Sequence, residues 1–235
     1  MPSNEMGNGA NLPADVDVAI IGGGIIGVST AYALAKDGIR VAVFEKGTLG
    51  CEQSSRNWGW VRTLNRDMPE VPVSMRSNVI WGEIQDQVDV GFRRRGIMYL
   101  QETAQDAGDQ EHWLQRSHDS YGFKGRLLSQ SETLALLPQT RRKWTGALYS
   151  DVDGVAEPEL ATKGIAELVR RRGGLVFEQC AARGIEQSAG RVSSVVTEHG
   201  RVRAAAVVLA GGAWSRLFCG NLGVAFPQLK VRGSV

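Results

Sequence analysis

The first strongly patterned stretch of the chain, Val16 to Ile21, is a nearly continuous apolar run. Such a run predicts a strand buried on both faces of a parallel sheet. Apolar residues then recur at Ile25, Val28, Tyr32 and Ala35, a helical period that predicts a helix over about 25–36. Gly38 lies just past its end, where helices commonly terminate. "RVAVF", Arg40 to Phe44, is again continuous and predicts a second strand.

From about residue 66 to 149 the pattern changes. It predicts a helix over about 73–88 with Val79, Ile80 and Ile84 inward, a strand over Gly96 to Gln101, and a helix with Trp113 and Leu114 inward. "RLLSQSETLALLP" predicts a short strand and a small helix capped by Ser131 and stopped by Pro138. The aromatics Trp81, Trp113, Tyr121 and Trp144 read as core rather than as pocket lining. Stretches 175–179, 184–187, 192–198 and 202–207 alternate and are broken by turns. They predict a small antiparallel meander leading into the buried strand "AAVVLA".

Between the first strand and the first helix stand Gly22, Gly24 and Gly27, a G-x-G-x-x-G series. The first glycine allows a tight turn, the second lets backbone approach a pyrophosphate, and the third lets helix pack closely on strand. The helix N-terminus directs free N–H groups and a positive dipole end at the phosphates. Glu45 follows the second strand, roughly 20 residues beyond the glycines, where an acid accepts hydrogen bonds from a ribose diol. The acid disfavours a 2′-phosphate, and hence NADP. It does not separate NAD from FAD.

Composition narrows the classes. The chain has 235 residues, 43% hydrophobic and 22% charged, as in ordinary globular proteins. A net charge of +2 gives no general pull toward nucleic acid. The runs Arg93–Arg95 and Arg170–Arg172 read as solvated surface. No apolar run is long enough to span a bilayer, so no transmembrane segment is expected. Three cysteines and three histidines are scattered without metal or disulfide spacing, so no metal site is expected and a reducing cytoplasm is the natural setting.

"GTLGCEQSSRNWGWVR", Gly47 to Arg62, is too rich in glycine and polar residues for a helix or buried strand. It reads as a long loop at the carboxyl end of the second strand, facing the nucleotide. An NAD domain would usually proceed to another simple βα unit. This loop, following "IIGGGIIGVSTAYALAKDGIRVAVFEKG", resembles the D-amino-acid oxidase superfamily of FAD-dependent oxidoreductases. The likeness continues in "GALYSDVDGVAEPELATKGIAELVRRRGGLVFE" and in "AAAVVLAGGAWS".

That resemblance implies FAD as cofactor and an amine or amino acid as substrate, such as a D-amino acid or an N-substituted glycine. The C–N bond would be oxidised by hydride transfer to flavin N5. The implied fold is α/β, a Rossmann-like FAD-binding domain with a parallel sheet and small antiparallel meander, interleaved with an α+β substrate domain. The FAD domain is expected at 16–65 and 150–215, the substrate domain at 66–149 and 216–235, and a disordered tail at 1–15. Gly22, Gly24, Ile25, Ile26 and Gly27 would cradle the pyrophosphate. Glu45 would bind the adenosine ribose and Lys46 would lie on the adenine side. Ser54, Ser55, Asn57 and Gly59 would line the pyrophosphate and ribityl path. Ala182 would hold the adenine edge through its backbone, and Ala210, Gly211 and Gly212 would approach the cofactor. Arg62 matches a basic residue near the flavin ring in the sarcosine-oxidase-like branch, the alternative being a surface or core-capping arginine.

Family members are usually longer, so the resemblance also implies that the C-terminal part of the substrate domain is missing and the chain incomplete. A catalytically incomplete FAD-binding fragment or subunit needing a partner chain is the alternative expectation. Electrons would pass to oxygen or to a quinone or other respiratory carrier. Oligomerisation and peripheral membrane association stay open.

Overall fold

The computed structural model describes residues 11–229 and 231. It divides into two compact units, 1–57 with 158–235 and 58–157. The expected tail at 1–10 lies outside the described residues. At the other end of that range, Leu12 packs against the sheet core and Asp15 already opens the first strand.

The first unit begins with β1 (Asp15–Ile21), α1 (Ile25–Lys36) and β2 (Val41–Phe44). All four residues of β2 are buried, as its unbroken apolar run predicts. The helix bounds match the apolar period, with Val28, Ala31, Tyr32 and Ala35 buried. Gly38 takes φ +79 just past the helix, a left-handed turn that glycine adopts without strain.

The second unit carries β3 (Trp60–Val61), α2 (Val71–Gln85), β4 (Ile97–Gln101), α3 (Ala104–Tyr121), β5 (Arg126–Ser129), α4 (Gln130–Leu136), β6 (Gly146–Ser150) and β7 (Gly154–Val155). Its sheet has the order β4-β6-β5, all antiparallel, and β3 pairs separately with β7. That second pairing moves the unit boundary to residue 57 from the expected 65, and the return boundary to 158 from 150.

Local differences have physical causes. α2 starts at Val71 because Pro72 suits the first helical turn, which needs no N–H donor. Its buried positions are Val71, Asn78 and Ile84, while Val79 faces out. Asn78 can be inside because its amide donates to Thr63 Oγ1 and to Asp153 Oδ1. The cap of α4 is Ser129 rather than Ser131. Ser129 Oγ accepts the Glu132 N–H while the Glu132 carboxylate accepts the Ser129 N–H, a reciprocal capping box. Tyr121 is exposed at the end of α3, whereas Trp113 is part-buried beside Phe123 and donates to the Arg66 carbonyl at 2.7 Å.

The chain returns to the first unit through α5 (Pro158–Arg171), β8 (Leu175–Phe177), β9 (Ala182–Ser188), β10 (Arg191–Thr197), β11 (Gly200–Leu209) and α6 (Ser215–Asn221). Residues 216–229 belong to this unit, not to the substrate unit in which they were expected. The sheet order is β8-β2-β1-β11-β10-β9. β8, β2, β1 and β11 run parallel, and β11, β10 and β9 form the antiparallel meander. α1 and α5 pack together over the parallel part. A core cluster of the sheet joins Ala19, Ile21, Ala42, Phe44, Phe177 and Val202, with the Phe44 and Phe177 rings stacked 5.5 Å apart. A doubly paired central β1 places its carboxyl end, and the glycine turn after it, at the middle of the sheet edge.

Candidate FAD site

The glycine turn is closed by tight backbone packing. Gly22 takes φ +110, and a Cβ there would collide with the Ala210 carbonyl. A Cβ on Gly27 would overlap the Gly22 carbonyl oxygen, so the third glycine is what lets α1 sit on β1. At Gly24 a Cβ would meet Ser54 Oγ at 3.0 Å, and the same hydroxyl accepts the Ile25 N–H at 2.9 Å. α1 has no acid in its own first turn.

Glu45, nearly buried, is tied on both carboxylate oxygens. Oε2 accepts the Gly23 N–H at 2.7 Å and Oε1 accepts the Gly47 N–H at 2.8 Å. Each oxygen keeps a second lone pair with which to accept a hydroxyl. Beyond Glu45, Lys46 Nζ pairs with Glu52 Oε1 at 2.7 Å and lies 4.1 Å from the Trp214 ring centroid.

These groups wall a cleft of about 860 Å3 lying wholly within the first unit. Of the expected residues, Gly22, Gly24, Ile25, Ile26, Glu45, Lys46, Ser54, Asn57, Ala182, Ala210, Gly211 and Gly212 line it. Gly27 sits beneath, in the helix–strand contact, and Ser55 bonds back to the Glu52 carbonyl at 3.3 Å. Gly59 and Arg62 belong to the second unit. There Arg62 Nη1 donates to the Leu64 carbonyl at 2.6 Å, and its guanidinium lies 5.5 Å from the Tyr99 ring centroid.

Several lining residues were missed in the sequence: Glu52, Gln53, Arg183, Glu198, Trp214 and Gln228 among them. They come from segments far apart in the chain, and no periodicity marks them. Glu52 and Gln53 lie in the quoted nucleotide-facing loop and Trp214 in the quoted "GAWS", and the others carried no signal. At one wall Arg183 pairs with Glu198, whose carboxyl is held below its ordinary range by the Ala181 N–H and then by the Arg183 charge. At another, Gln228 Nε2 donates to the Gly212 carbonyl at 3.0 Å.

The family model described as "FAD dependent oxidoreductase" (DAO) matches residues 17–235. The chain belongs to this family. The family is FAD-dependent, and the donor set fits that cofactor: backbone glycines at a helix N-terminus, an acid at the end of β2, and a cleft within the size range of cofactor pockets.

The chain is 31% identical to the glycine oxidase of Geobacillus kaustophilus over 92% of its own length and 60% of that protein. It is 28% identical to the mitochondrial sarcosine dehydrogenase of Mus musculus, over 94% of this chain and 25% of that one. Among solved structures, the L-amino acid deaminase of Proteus myxofaciens in complex with anthranilate superposes with a TM-score of 0.89 at 33% identity. That match covers 93% of this chain and 50% of the deaminase. The chain thus spans between a quarter and three-fifths of the length of these relatives. By their names these relatives act on amino acids or amines. Among the described residues no helix is long and apolar enough to cross a membrane, and no group of side chains could hold a metal ion.

Proposed function

We propose that this chain holds FAD in the cleft between the glycine turn and the turn after β11, and serves the oxidation of the C–N bond of an amino acid or N-substituted glycine. The observation that carries the reading is the convergence on one cleft of the glycine turn, Glu45, Ser54 and the Ala210–Gly212 turn. The α1 N-terminus and the backbone of Gly22 and Gly24 offer the pyrophosphate its donors. Glu45 offers acceptors to the ribose, and Ala182 offers its backbone to the adenine edge. When bound, the flavin supplies the two-electron acceptor at N5 that takes the substrate hydride. Arg62 is the residue proposed to serve the reacting end. Its guanidinium keeps donors beyond the one given to Leu64, suited to a substrate carboxylate. Residence in the cytoplasm, with electrons leaving to oxygen or a quinone, belongs to the same proposal.

A second reading keeps the cofactor but makes turnover depend on a partner chain. Val224 and Leu229 favour it, being large apolar side chains exposed beyond α6 and outside the cleft lining.

The visible absorbance spectrum of the purified chain tests both readings. The sample is then mixed without oxygen with D- and L-amino acids, sarcosine and simple amines. Yellow protein that bleaches with one substrate supports the first reading and names the substrate class. Yellow protein that bleaches with none supports the second. Colourless protein that takes up no added FAD refutes both.

A further inference from the structure

Lys46 stands out among the cations of the first unit by where it reaches. It follows β2, and Trp214 follows β11. In the sheet, β1 lies between those two strands, and all three are parallel. A contact from Lys46 to Trp214 therefore crosses the carboxyl end of β1, where the glycine turn leads into the positive end of α1. The ammonium is brought to the part of the cleft whose backbone suits an anion, not kept beside the ribose acid from which it springs.

Its counter-ion is of a kind that can be exchanged. Glu45 is nearly buried and committed to the Gly23 and Gly47 N–H groups. Glu198 is committed to Ala181 and Arg183. Glu52 bonds Lys46 through side chains that are both about two-fifths exposed, 45% and 39%. A pair so well solvated contributes little, so a second anion can displace one partner at small cost. The Trp214 ring holds the ammonium without neutralising it.

We propose that Lys46 is a phosphate-binding cation of the dinucleotide cleft, held over the glycine turn by Trp214, and that Glu52 is an internal competitor which the ligand's phosphate displaces. This rests on the FAD reading of the cleft and deepens it. It also moves Lys46 from the adenine to the phosphates.

The test is titration calorimetry of the full chain with FAD, ADP and adenosine at two salt concentrations. Lys46→Ala is expected to weaken FAD and ADP about tenfold while leaving adenosine unchanged. It is also expected to flatten the salt dependence of ADP binding, because an exposed cation is screened by salt. Lys46→Arg is expected to restore most of the loss, separating charge from folding. Glu52→Gln is expected to tighten ADP by about threefold, the opposite sign. Trp214→Leu is expected to weaken ADP, and Trp214→Phe to weaken it less. Equal weakening of adenosine and ADP by Lys46→Ala would place Lys46 on the adenine and overturn the proposal. So would an unchanged or weakened ADP affinity in Glu52→Gln. Wild-type chain that binds FAD with no response to any of these changes sinks the inference alone. Wild-type chain that binds neither FAD nor ADP sinks the FAD reading with it.

Discussion

Glu45 Oε2 accepts the backbone N–H of Gly23 at 2.7 Å, so the acid that ends β2 also braces the turn that ends β1. With Oε1 on the Gly47 N–H, the carboxylate is an acceptor on both sides. Glu45→Gln must then aim an NH2 group at one of those N–H donors, and is not a conservative change. We expect Glu45→Ala to weaken FAD by about 1–3 kcal/mol, and Glu45→Gln to weaken it as well. Fluorescence titration measures both constants, and unchanged values would remove Glu45 from the site.

The glycines separate fold from binding. A side chain at Gly27 meets the Gly22 carbonyl, which is backbone and cannot move aside. One at Gly24 meets the Ser54 hydroxyl, which can rotate away. Gly27→Ala should lower the melting temperature markedly. Gly24→Val should keep most of the melting temperature and lose the flavin, read as absorbance of the purified protein. Normal flavin content in Gly24→Val contradicts the reading of the turn.

Asp153 is fully buried and takes N–H bonds from Thr63 at 2.9 Å and Leu64 at 2.8 Å, besides the Asn78 amide at 2.9 Å. It fixes the backbone just beyond Arg62, whose guanidinium returns a bond to the Leu64 carbonyl. Removing such an acceptor strands buried donors. Asp153→Ala should destabilise the second unit by about 2–5 kcal/mol in urea unfolding, with Asp153→Asn in between. Arg62→Lys should leave unfolding nearly unchanged and reduce substrate bleaching. Equal bleaching rates would exclude Arg62 from the reaction.

Acid should loosen the amino-terminal edge of the sheet. Arg40 hydrogen-bonds Asp15 and Asp17, and both carboxyls lie below their ordinary values for that reason. A depressed native value means that stability is present above the unfolded-state value near about 3.9. It is then lost as pH falls from there through the native values. The urea midpoint should be flat above that point and fall below it, with Asp15→Asn/Asp17→Asn reducing the fall. These groups are well exposed, so high salt should shrink the effect. A slope identical in the double variant refutes the assignment.

Thiol reactivity should rank by burial. Cys180 is buried, and desolvation pushes its thiol up, while Cys51 is exposed and lines the cleft. Iodoacetamide should label Cys51 quickly and Cys180 only on unfolding, and added FAD should slow labelling at Cys51. Labelling of Cys51 at one rate with and without FAD would place the cofactor elsewhere.

What was legible in the sequence was local. The run Val16–Ile21, the three glycines and the period of α1 all act within a few residues, and β1 and α1 formed nearly where the pattern put them. The meander was legible for the same reason, since its turns are short. Features set by partners distant in sequence were not. Asn78 is inside α2 because Asp153 waits for it, and Val79 gives up the inward place that its hydrophobicity suggested. Ser129 takes the cap in place of Ser131 because Glu132 is three residues beyond it, the spacing of a capping box. Ser54 beneath Ile25, and Trp214 against Lys46, join segments that no spacing relates.

The place of β1 in the sheet has a consequence for synthesis. β1 is made long before β11, yet the two are neighbours in the sheet, with Ile21 opposite Leu209. On the ribosome β1 has β2 on one side and an open edge on the other until the whole of the second unit, and then α5 to β10, have been translated. The glycine turn likewise waits for Ala210, whose carbonyl packs on Gly22. Cofactor capture is therefore a late event in the life of the nascent chain, and the order of translation delivers the complete second unit before the first can close.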